Sequence, residues 1–347
     1  MKKVFNKVFG IFSEDLGIDL GTSNTLICVK NKGIILNEPS VVALNAKTKE
    51  IVEVGEKAKK MLGRTPGSIN TIRPLRNGVI ADYEITEKML SNFYKQAHQR
   101  GLASPRVIIC VPAGVTQVEK RAVIDVTREA GAREAYLIEE PMAAAIGMGL
   151  NIFEPEGNLI IDIGGGTSEI AVISLGGIVK TSSFRVAGDK FDMAIIDYVR
   201  SKHNLLIGER TAEQIKKTIG GLVELEEDES IEISGRNAIN GLPRDIKLCS
   251  SEVVEVLGTL LQLIVEEVKV ILEKTPPEIA SDIKRTGIYI TGGGALLRGI
   301  DQKISENLNL DVKIAEDPLN SVINGIQTLL KNFNKYKRVL ISPENDY

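Results

Sequence analysis

Tryptophan is absent from this 347-residue chain, histidine occurs twice (His98 and His203) and cysteine three times (Cys28, Cys110 and Cys249). Two histidines leave almost no room for a His-centred catalytic set or a His-rich metal site. The cysteines lie far apart with no C-x-x-C pair, which argues against a disulfide framework or a zinc site and predicts reduced thiols in a cytoplasm. No stretch approaches the roughly 20 apolar residues needed to cross a bilayer. A net charge of −3 gives no global pull toward nucleic acid. Chemistry is left to carboxylates, hydroxyls, backbone N–H groups and a metal ion. The apolar fraction of 43% is enough for real cores, and the length favours two domains.

Two short stretches carry most of the signal. Ile18-Asp19-Leu20-Gly21-Thr22-Ser23-Asn24-Thr25 and Ile161-Asp162-Ile163-Gly164-Gly165-Gly166-Thr167-Ser168 share one plan. Each is an apolar run, an Asp, a Gly-rich turn with hydroxyls, and a second apolar run. Glycine tolerates positive φ and lacks the Cβ that blocks close approach, so backbone N–H groups can converge on anionic oxygens. Thr22, Ser23, Asn24 and Thr25 add donors in the first turn, and Thr167 in the second. A carboxylate at each strand end does not favour phosphate directly. Asp19 and Asp162 make sense if Mg²⁺ and its waters lie between carboxylate and phosphate. Ordinary hairpin turns are the alternative for either loop alone, and two matched loops favour phosphate binding. Neither stretch is a Walker A or a G-x-G-x-x-G helix opening.

Ile288-Tyr-Ile-Thr-Gly-Gly-Gly-Ala-Leu-Leu297 reads as a strand, a triple-Gly turn and a helix start. A bare backbone can lie flat against a purine or ribose, and a helix N-terminus favours anions. A simple strand–helix connection is the alternative. Thr211 predicts a helix cap before Ala212-Glu213-Gln214-Ile215-Lys216-Lys217. Glu213 and Lys217, four apart, fit a surface pair as well as a ribose contact.

Strands alternate with helices in both halves, predicting an α/β fold with mixed sheets. Strands are expected at 16–20, 25–30, across 34–54, at 106–111, 136–138, 159–163, 168–174, 178–184 and 288–290. Helices are expected at 84–99, 116–130, from Pro141, at 189–203, 211–221 and 252–273. Glu154-Pro-Glu-Gly157 is the expected junction, 224–229 a solvated acidic loop, and the basic tail from Lys331 disordered.

These residues resemble the actin, sugar-kinase and heat-shock-chaperone ATPase superfamily. Leu137-Ile-Glu-Glu-Pro-Met-Ala-Ala-Ala-Ile-Gly147, Leu242-Pro-Arg and Glu273-Lys-Thr-Pro-Pro-Glu278 narrow the resemblance to the MreB family of bacterial actin homologues, over about residues 15 to 330. It implies a two-lobed actin-like fold, with duplicated mixed-sheet domains flanking a nucleotide cleft. Lobe I would span 15–150 plus about 320–337, with a small subdomain near 34–74. Lobe II would span 151–319, with one near 184–246, and 338–347 would be a flexible tail.

The implied ligand is ATP with Mg²⁺, held by Gly21 to Asn24, by Gly164, Gly165, Gly166 and Thr167, and by Gly292, Gly293, Gly294, Ala295 and Leu296. The resemblance tips Glu213, Gln214, Ile215 and Lys216 toward ribose and base contacts. It assigns water positioning for hydrolysis to Glu140, helped by Thr167. Pro141 suits a first helical turn and would leave Glu140 at the cap. A plain cap or a salt bridge is the alternative for Glu140. The run Ala143-Ala-Ala145 with Gly147 predicts close helix packing at a hinge.

The N-terminus is amphipathic. At roughly 100° per residue, Met1, Val4, Phe5, Val8, Phe9, Ile11 and Phe12 share one arc, with Lys2, Lys3 and Lys7 opposite. Such a pattern predicts an interfacial membrane helix over 1–14, with Val4, Phe5, Val8, Phe9 and Phe12 inserted. Packing on the protein's own core is the alternative. Where the family carries a second hydrophobic loop, residues 96–105 offer only Leu102 and two alanines.

The function expected is a cytoskeletal ATPase that forms membrane-associated homopolymers and organises cell-wall synthesis and rod shape. It would lie in the cytoplasm against the anionic inner face of the cell membrane. Its partners would be copies of itself and membrane proteins of wall elongation, and no nucleic acid. A small-metabolite kinase on the same fold is the alternative, although no acceptor constellation is visible. A chaperone ATPase needs a β-rich peptide domain after the lobes, and none follows.

Overall fold

The same order of connection builds two five-stranded sheets. In the first, strand Leu16–Leu20 is central; Asn24–Val29 and Gly33–Pro39 follow on one side, and Arg106–Val111 and Glu134–Glu139 are added on the other. In the second, Asn158–Ile163 is central; Ser168–Ser174 and Gly177–Phe184 follow on one side, and Ile288–Thr291 and Val312–Ile314 on the other. The later strands pair in parallel in both sheets: Leu16↔Val107 and Leu137↔Ile109 in the first, Ile161↔Ile290 and Ile290↔Ile314 in the second. The computed structural model describes residues 14–76, 78–97, 104–224 and 227–342.

The chain divides into two compact units. One comprises the residues up to Pro155, Ile173–Ile178 and those from Leu319; the other comprises Glu156–Val172 and Val179–Pro318. Hairpin turn 173–178 groups with the first unit because Gly176 N donates to Ile152 O (2.6 Å) and Leu175 N to Glu154 O (3.2 Å).

The first unit's core gathers Leu16, Ile18 and Ile27 with Val107, Ile109, Leu137 and the helix residues Met89 and Phe93. A small sheet of Val42–Asn45, Ile51–Val54 and Ile69–Ile72, with helix Glu56–Met61, belongs to this unit. Helix Gln117–Glu129 opens with a capping box: Glu119 N donates to Thr116 Oγ1 (3.3 Å) and Thr116 N donates to Glu119 Oε2 (2.7 Å). Helices Glu140–Gly147 and Ser321–Lys331 cross almost backbone to backbone. A Cβ on Gly325 would overlap Ala143 O and lie 3.1 Å from Gly147 N.

The second unit packs helices Gly188–His203, Glu209–Ile219 and Ser250–Glu273 on its own core of Ile161, Phe191, Ile215, Leu257 and Ile264. Its small sheet joins Leu205–Leu206 to a hairpin of Ser230–Asn237 and Pro243–Cys249.

Several expectations change. The tail from Lys331 is ordered through Ser342: Phe333–Tyr336 is a helical turn, Leu340 is buried, and Ile341 exchanges backbone hydrogen bonds with Leu137 (3.0 and 2.9 Å). Residues 343–347 and the amphipathic segment 1–13 lie outside the described residues, as do 98–103 with Leu102. Helix Ser250–Glu273 stops before Pro276-Pro277, and Pro277 starts a further helix, Pro277–Thr286. The acidic loop is exposed where described, as expected, and also has a structural job. Asp228 accepts hydrogen bonds from Ser250 Oγ (2.7 Å) and from Ser251 N and Oγ (2.9 and 2.8 Å), which hold its carboxyl down at about 2.

Candidate nucleotide half-sites

In the first unit the loop after Leu20 is braced from behind. Ser40 Oγ donates to Gly21 O (2.6 Å), Thr25 Oγ1 lies 2.9 Å from Ser40 Oγ, and Ser40 N donates to Ser23 O (2.9 Å). A Cβ on Gly21 would sit 2.7 Å from Asn24 O, so the turn is tight enough to demand glycine. Thr22 is buried, and Asn24 Nδ2 donates to Asn37 Oδ1 (2.7 Å).

Asp19 lies two residues before Gly21, where that loop begins. Cys110 Sγ donates to its Oδ1 at 3.0 Å from the neighbouring parallel strand. Burial pushes the Asp19 carboxyl up to about 6, and the thiol hydrogen bond draws it partly back. The Cys110 thiol is pushed well above its usual range, first by burial and then by the negative charges of Asp19 and Glu140. Asp19, Cys110 and Glu140 are therefore neighbours.

Glu140 is not itself the cap. Glu139 is the N-cap residue, Glu140 opens the helix and Pro141 follows in the first turn. A carboxylate there faces the helix dipole's positive end. Burial raises the Glu139 carboxyl above its ordinary value, while Lys120, 4.0 Å away, opposes the shift.

In the second unit Gly164 N donates to Thr167 O (2.9 Å), closing the Gly-rich turn. Helix Gly188–His203 pins the turn from outside, with Gly188 N donating to Gly164 O (3.1 Å) and Asp189 N to Gly165 O (2.7 Å). Lys216 continues the chain of contacts: its Nζ donates to Gly188 O (2.8 Å) and pairs with Asp192 Oδ1 (2.8 Å). Burial raises the Asp192 carboxyl, and the Lys216 charge opposes that shift.

Gly292, at φ 81°, presses its bare α-carbon against the Asp162 carboxylate and Ile163 O. Any side chain there would collide with both. A single 3-10 turn, Gly293–Leu296, follows it. The next α-helix starts only at Ile300, so the helix N-terminus expected directly after the glycines is displaced. Arg298 ties this turn to the end of helix Glu209–Ile219: its Nε donates to Gly220 O (3.3 Å) and its O accepts from Leu222 N (2.8 Å).

The second unit thus gathers Asp162, Gly164 to Thr167, Lys216 and Gly292 to Gly294. Glu213 makes the surface pair with Lys217 (2.6 Å), and Gln214 is exposed. Ile215 is fully buried in the core, so it serves the site only by positioning its neighbours. Ser40, Cys110, Gly188, Asp192 and Arg298 were missed by sequence reasoning. Each acts through a contact distant in sequence, for which no local pattern exists.

Among the described residues, no group of three or more His, Cys, Asp or Glu side chains is arranged to hold a metal ion. Asp19 is a partly buried carboxylate that burial makes reluctant to ionise, and a cation held nearby through water, such as Mg²⁺, would relieve that cost.

Comparison with known proteins follows the same lines. The family model described as MreB/Mbl protein matches residues 13–338. The cell shape-determining protein MreB of Escherichia coli (strain K12) is 52% identical, covering 98% of this chain and 100% of that protein. A crystal structure of MreB 5 of Spiroplasma citri bound to AMPPNP is 41% identical with a TM-score of 0.89, covering 94% of this chain and 98% of that one. A MamK double helical filament shares the fold at 23% identity, with a TM-score of 0.78 over 91% of this chain and 98% of that one.

Proposed function

The chain belongs to the MreB/Mbl family of cell shape-determining cytoskeletal proteins, and from that premise we propose that it is an ATPase whose ATP-bound form assembles into membrane-associated filaments. The metabolite-kinase alternative falls with that membership.

The observation that carries the reading is the repeated sheet order, with each central strand running into an Asp and then a Gly-rich loop. On this reading one adenosine triphosphate uses both loops. Backbone N–H groups of 21–24 and 164–167 receive phosphate oxygens. The Gly292 to Leu296 turn and the Glu213 to Lys216 segment flank the adenosine. Asp19 and Asp162 hold Mg²⁺ through water. Bound there, the cation would neutralise charge developing on the phosphates. Glu140 orients the attacking water, with Thr167 beside it. A nucleotide complex of the Spiroplasma citri relative supports the ligand class.

Head-to-tail contacts that do not close give filaments. Residues 1–14, through Val4, Phe5, Val8, Phe9 and Phe12, would attach them to an anionic inner membrane, where wall-elongation membrane proteins would engage them. One short helix is a weak anchor, and many copies along a filament multiply its grip. Among the described residues no helix is long and apolar enough to cross a membrane.

Calorimetry with Mg-ATP tests the site. Saturable binding that is lost in the Gly292→Val variant supports it, and no heat from the wild-type chain overturns it. ATP-dependent co-sedimentation with anionic vesicles, comparing the full chain with one lacking residues 1–13, tests the membrane role.

A further inference from the structure

We propose that the C-terminal basic segment from Lys331 to Arg338 is a second contact surface for an anionic lipid membrane, mounted beside the root of the amphipathic N-terminal segment. It rests on the membrane reading above and adds a distinct site to it.

The charge is one-sided. Lys331, Lys335, Lys337 and Arg338 are all exposed, and no Asp or Glu occurs between Pro318 and Pro343. Among the described residues none of the four takes part in an ion pair. The carboxylates beside Arg106 are already matched: Asp15 and Glu134 pair with Arg106 (3.7 and 3.2 Å), and Glu134 also with Arg133 (3.6 Å).

The segment is also rigidly mounted. Phe333 packs edge-on against Tyr136, with ring centres 5.2 Å apart, and the Arg106 guanidinium lies 4.2 Å above the Phe333 ring. Tyr336 stacks on Phe153 at 5.5 Å, and Arg338 covers the other aromatic contact at 3.7 Å from the Phe153 ring centre. Leu340 is buried, and Ile341 pairs with Leu137 on the edge of the first sheet. A backbone held in place loses little freedom when its lysines meet a charged surface.

Position selects the partner. Arg106 touches both Asp15, where the chain emerges from the twelve-residue amphipathic segment, and Phe333, where the basic segment begins. Residues 98–103 rejoin the described structure at Ser104, two residues before Arg106. An apolar, lysine-bearing segment and an unpaired basic surface are thus rooted within one side chain of each other. Exposed lysines beside an interfacial helix match the smeared negative potential of an anionic leaflet. On the membrane reading above, the N-terminal segment would supply apolar insertion, and the basic segment supplies charge without insertion.

The test uses the full chain with phosphatidylcholine vesicles containing or lacking phosphatidylglycerol. The triple variant Lys331→Gln, Lys335→Gln, Lys337→Gln leaves the Arg338–Phe153 stack intact. Each lysine near an anionic surface contributes about fivefold in affinity. The triple variant is therefore expected to bind anionic vesicles on the order of a hundredfold more weakly at low salt, with a shallower salt dependence and unchanged Mg-ATP binding. Affinity within twofold of wild type at low salt overturns the proposal. So does equal displacement of the chain from vesicles by duplex DNA of matched charge, which would reassign the surface to nucleic acid. A chain lacking residues 1–13 that binds as well as the full chain overturns the N-terminal anchor instead. If its residual binding still depends on the three lysines, the basic surface stands without that anchor.

Discussion

Replacing Asp19 by Asn should stabilise the unliganded protein near pH 7 while destroying its response to Mg-nucleotide. Burial raises the carboxyl from 3.8 to about 6 in the folded state. The folded protein then holds that proton more tightly than the unfolded chain does. Between pH 4 and 6 the unfolded chain releases it first, so the group's contribution to stability falls as pH rises. Above pH 6 the full cost of the buried charge is present. A displacement of roughly two units at 1.36 kcal/mol each gives at most about 3 kcal/mol, and solvent reaching the partly buried residue trims it. The amide keeps an oxygen for the Cys110 thiol, so the variant removes the charge and little else. Denaturant melts of both proteins without nucleotide, from pH 4.5 to 7.5, read the difference directly. It should grow from about a third of its final size at pH 4.5 to about 1–3 kcal/mol at pH 7. A variant less stable than wild type at pH 7, or a difference independent of pH, would refute the argument that burial governs this carboxylate. Added Mg-ATP should raise wild-type stability and leave the variant unmoved.

Three further perturbations follow from the geometry. Glu140→Ala should slow phosphate release in a coupled assay on the order of a hundredfold, with nucleotide affinity nearly intact, since one positioned general base contributes about 10²–10⁴; unchanged turnover removes Glu140 from the reaction. Gly325→Ala forces a methyl into Ala143 O across the helix crossing, where backbone faces backbone and neither side can yield by turning a side chain. A loss of about 3 kcal/mol or more, seen as a lower denaturant midpoint, is expected, and a neutral result would mean the crossing is looser than described. Thr116→Ala removes the acceptor for Glu119 N in the capping box and should cost about 1 kcal/mol by the same measurement, without effect on nucleotide binding.

The parts legible in sequence are those encoded locally. The apolar run, Asp and Gly turn of 18–25 and 161–168 survive as strand, loop and strand in both units. Most predicted helices fall within two or three residues of the observed ones, because their apolar spacing is strong. The hairpin Ser230–Cys249 was invisible for a physical reason. Its strands do alternate, with Ile231, Ile233, Ile246 and Leu248 on the core and Glu232, Ser234, Asp245 and Lys247 outward, but each alternation is only about four residues long and is cut short by Gly235 and Pro243, so it stayed below notice. The ordered C-terminal segment was misread because its aromatic anchors, Phe333 and Tyr336, find partners at Tyr136 and Phe153, nearly two hundred residues upstream. The loop braces were illegible for the same reason. Ser40 behind Gly21 and Lys216 behind Gly188 are polar residues whose meaning arises only when strands and helices have assembled.

Shared topology does not give shared chemistry. Asp19 and Asp162 occupy equivalent ends of equivalent central strands, yet their surroundings differ. Asp19 accepts the Cys110 thiol hydrogen bond, and that thiol also feels the Glu140 charge. Asp162 meets the bare backbone of Gly292, a contact that admits no side chain and holds the triple-glycine turn against its strand. Had the duplication kept both roles in both halves, each unit would carry a Glu-Pro helix and a triple-glycine turn. Instead the first sheet is followed by Glu139-Glu140-Pro141 at its outer parallel strand, and the second carries Gly292-Gly293-Gly294 after the parallel strand beside its centre. On the proposed reading, the duplicated loops divide the phosphates between them, and these two unmatched additions separate water positioning from adenosine recognition. The division predicts that variants at Glu140 change turnover without affinity, whereas variants at Gly292 change affinity for ADP and ATP alike.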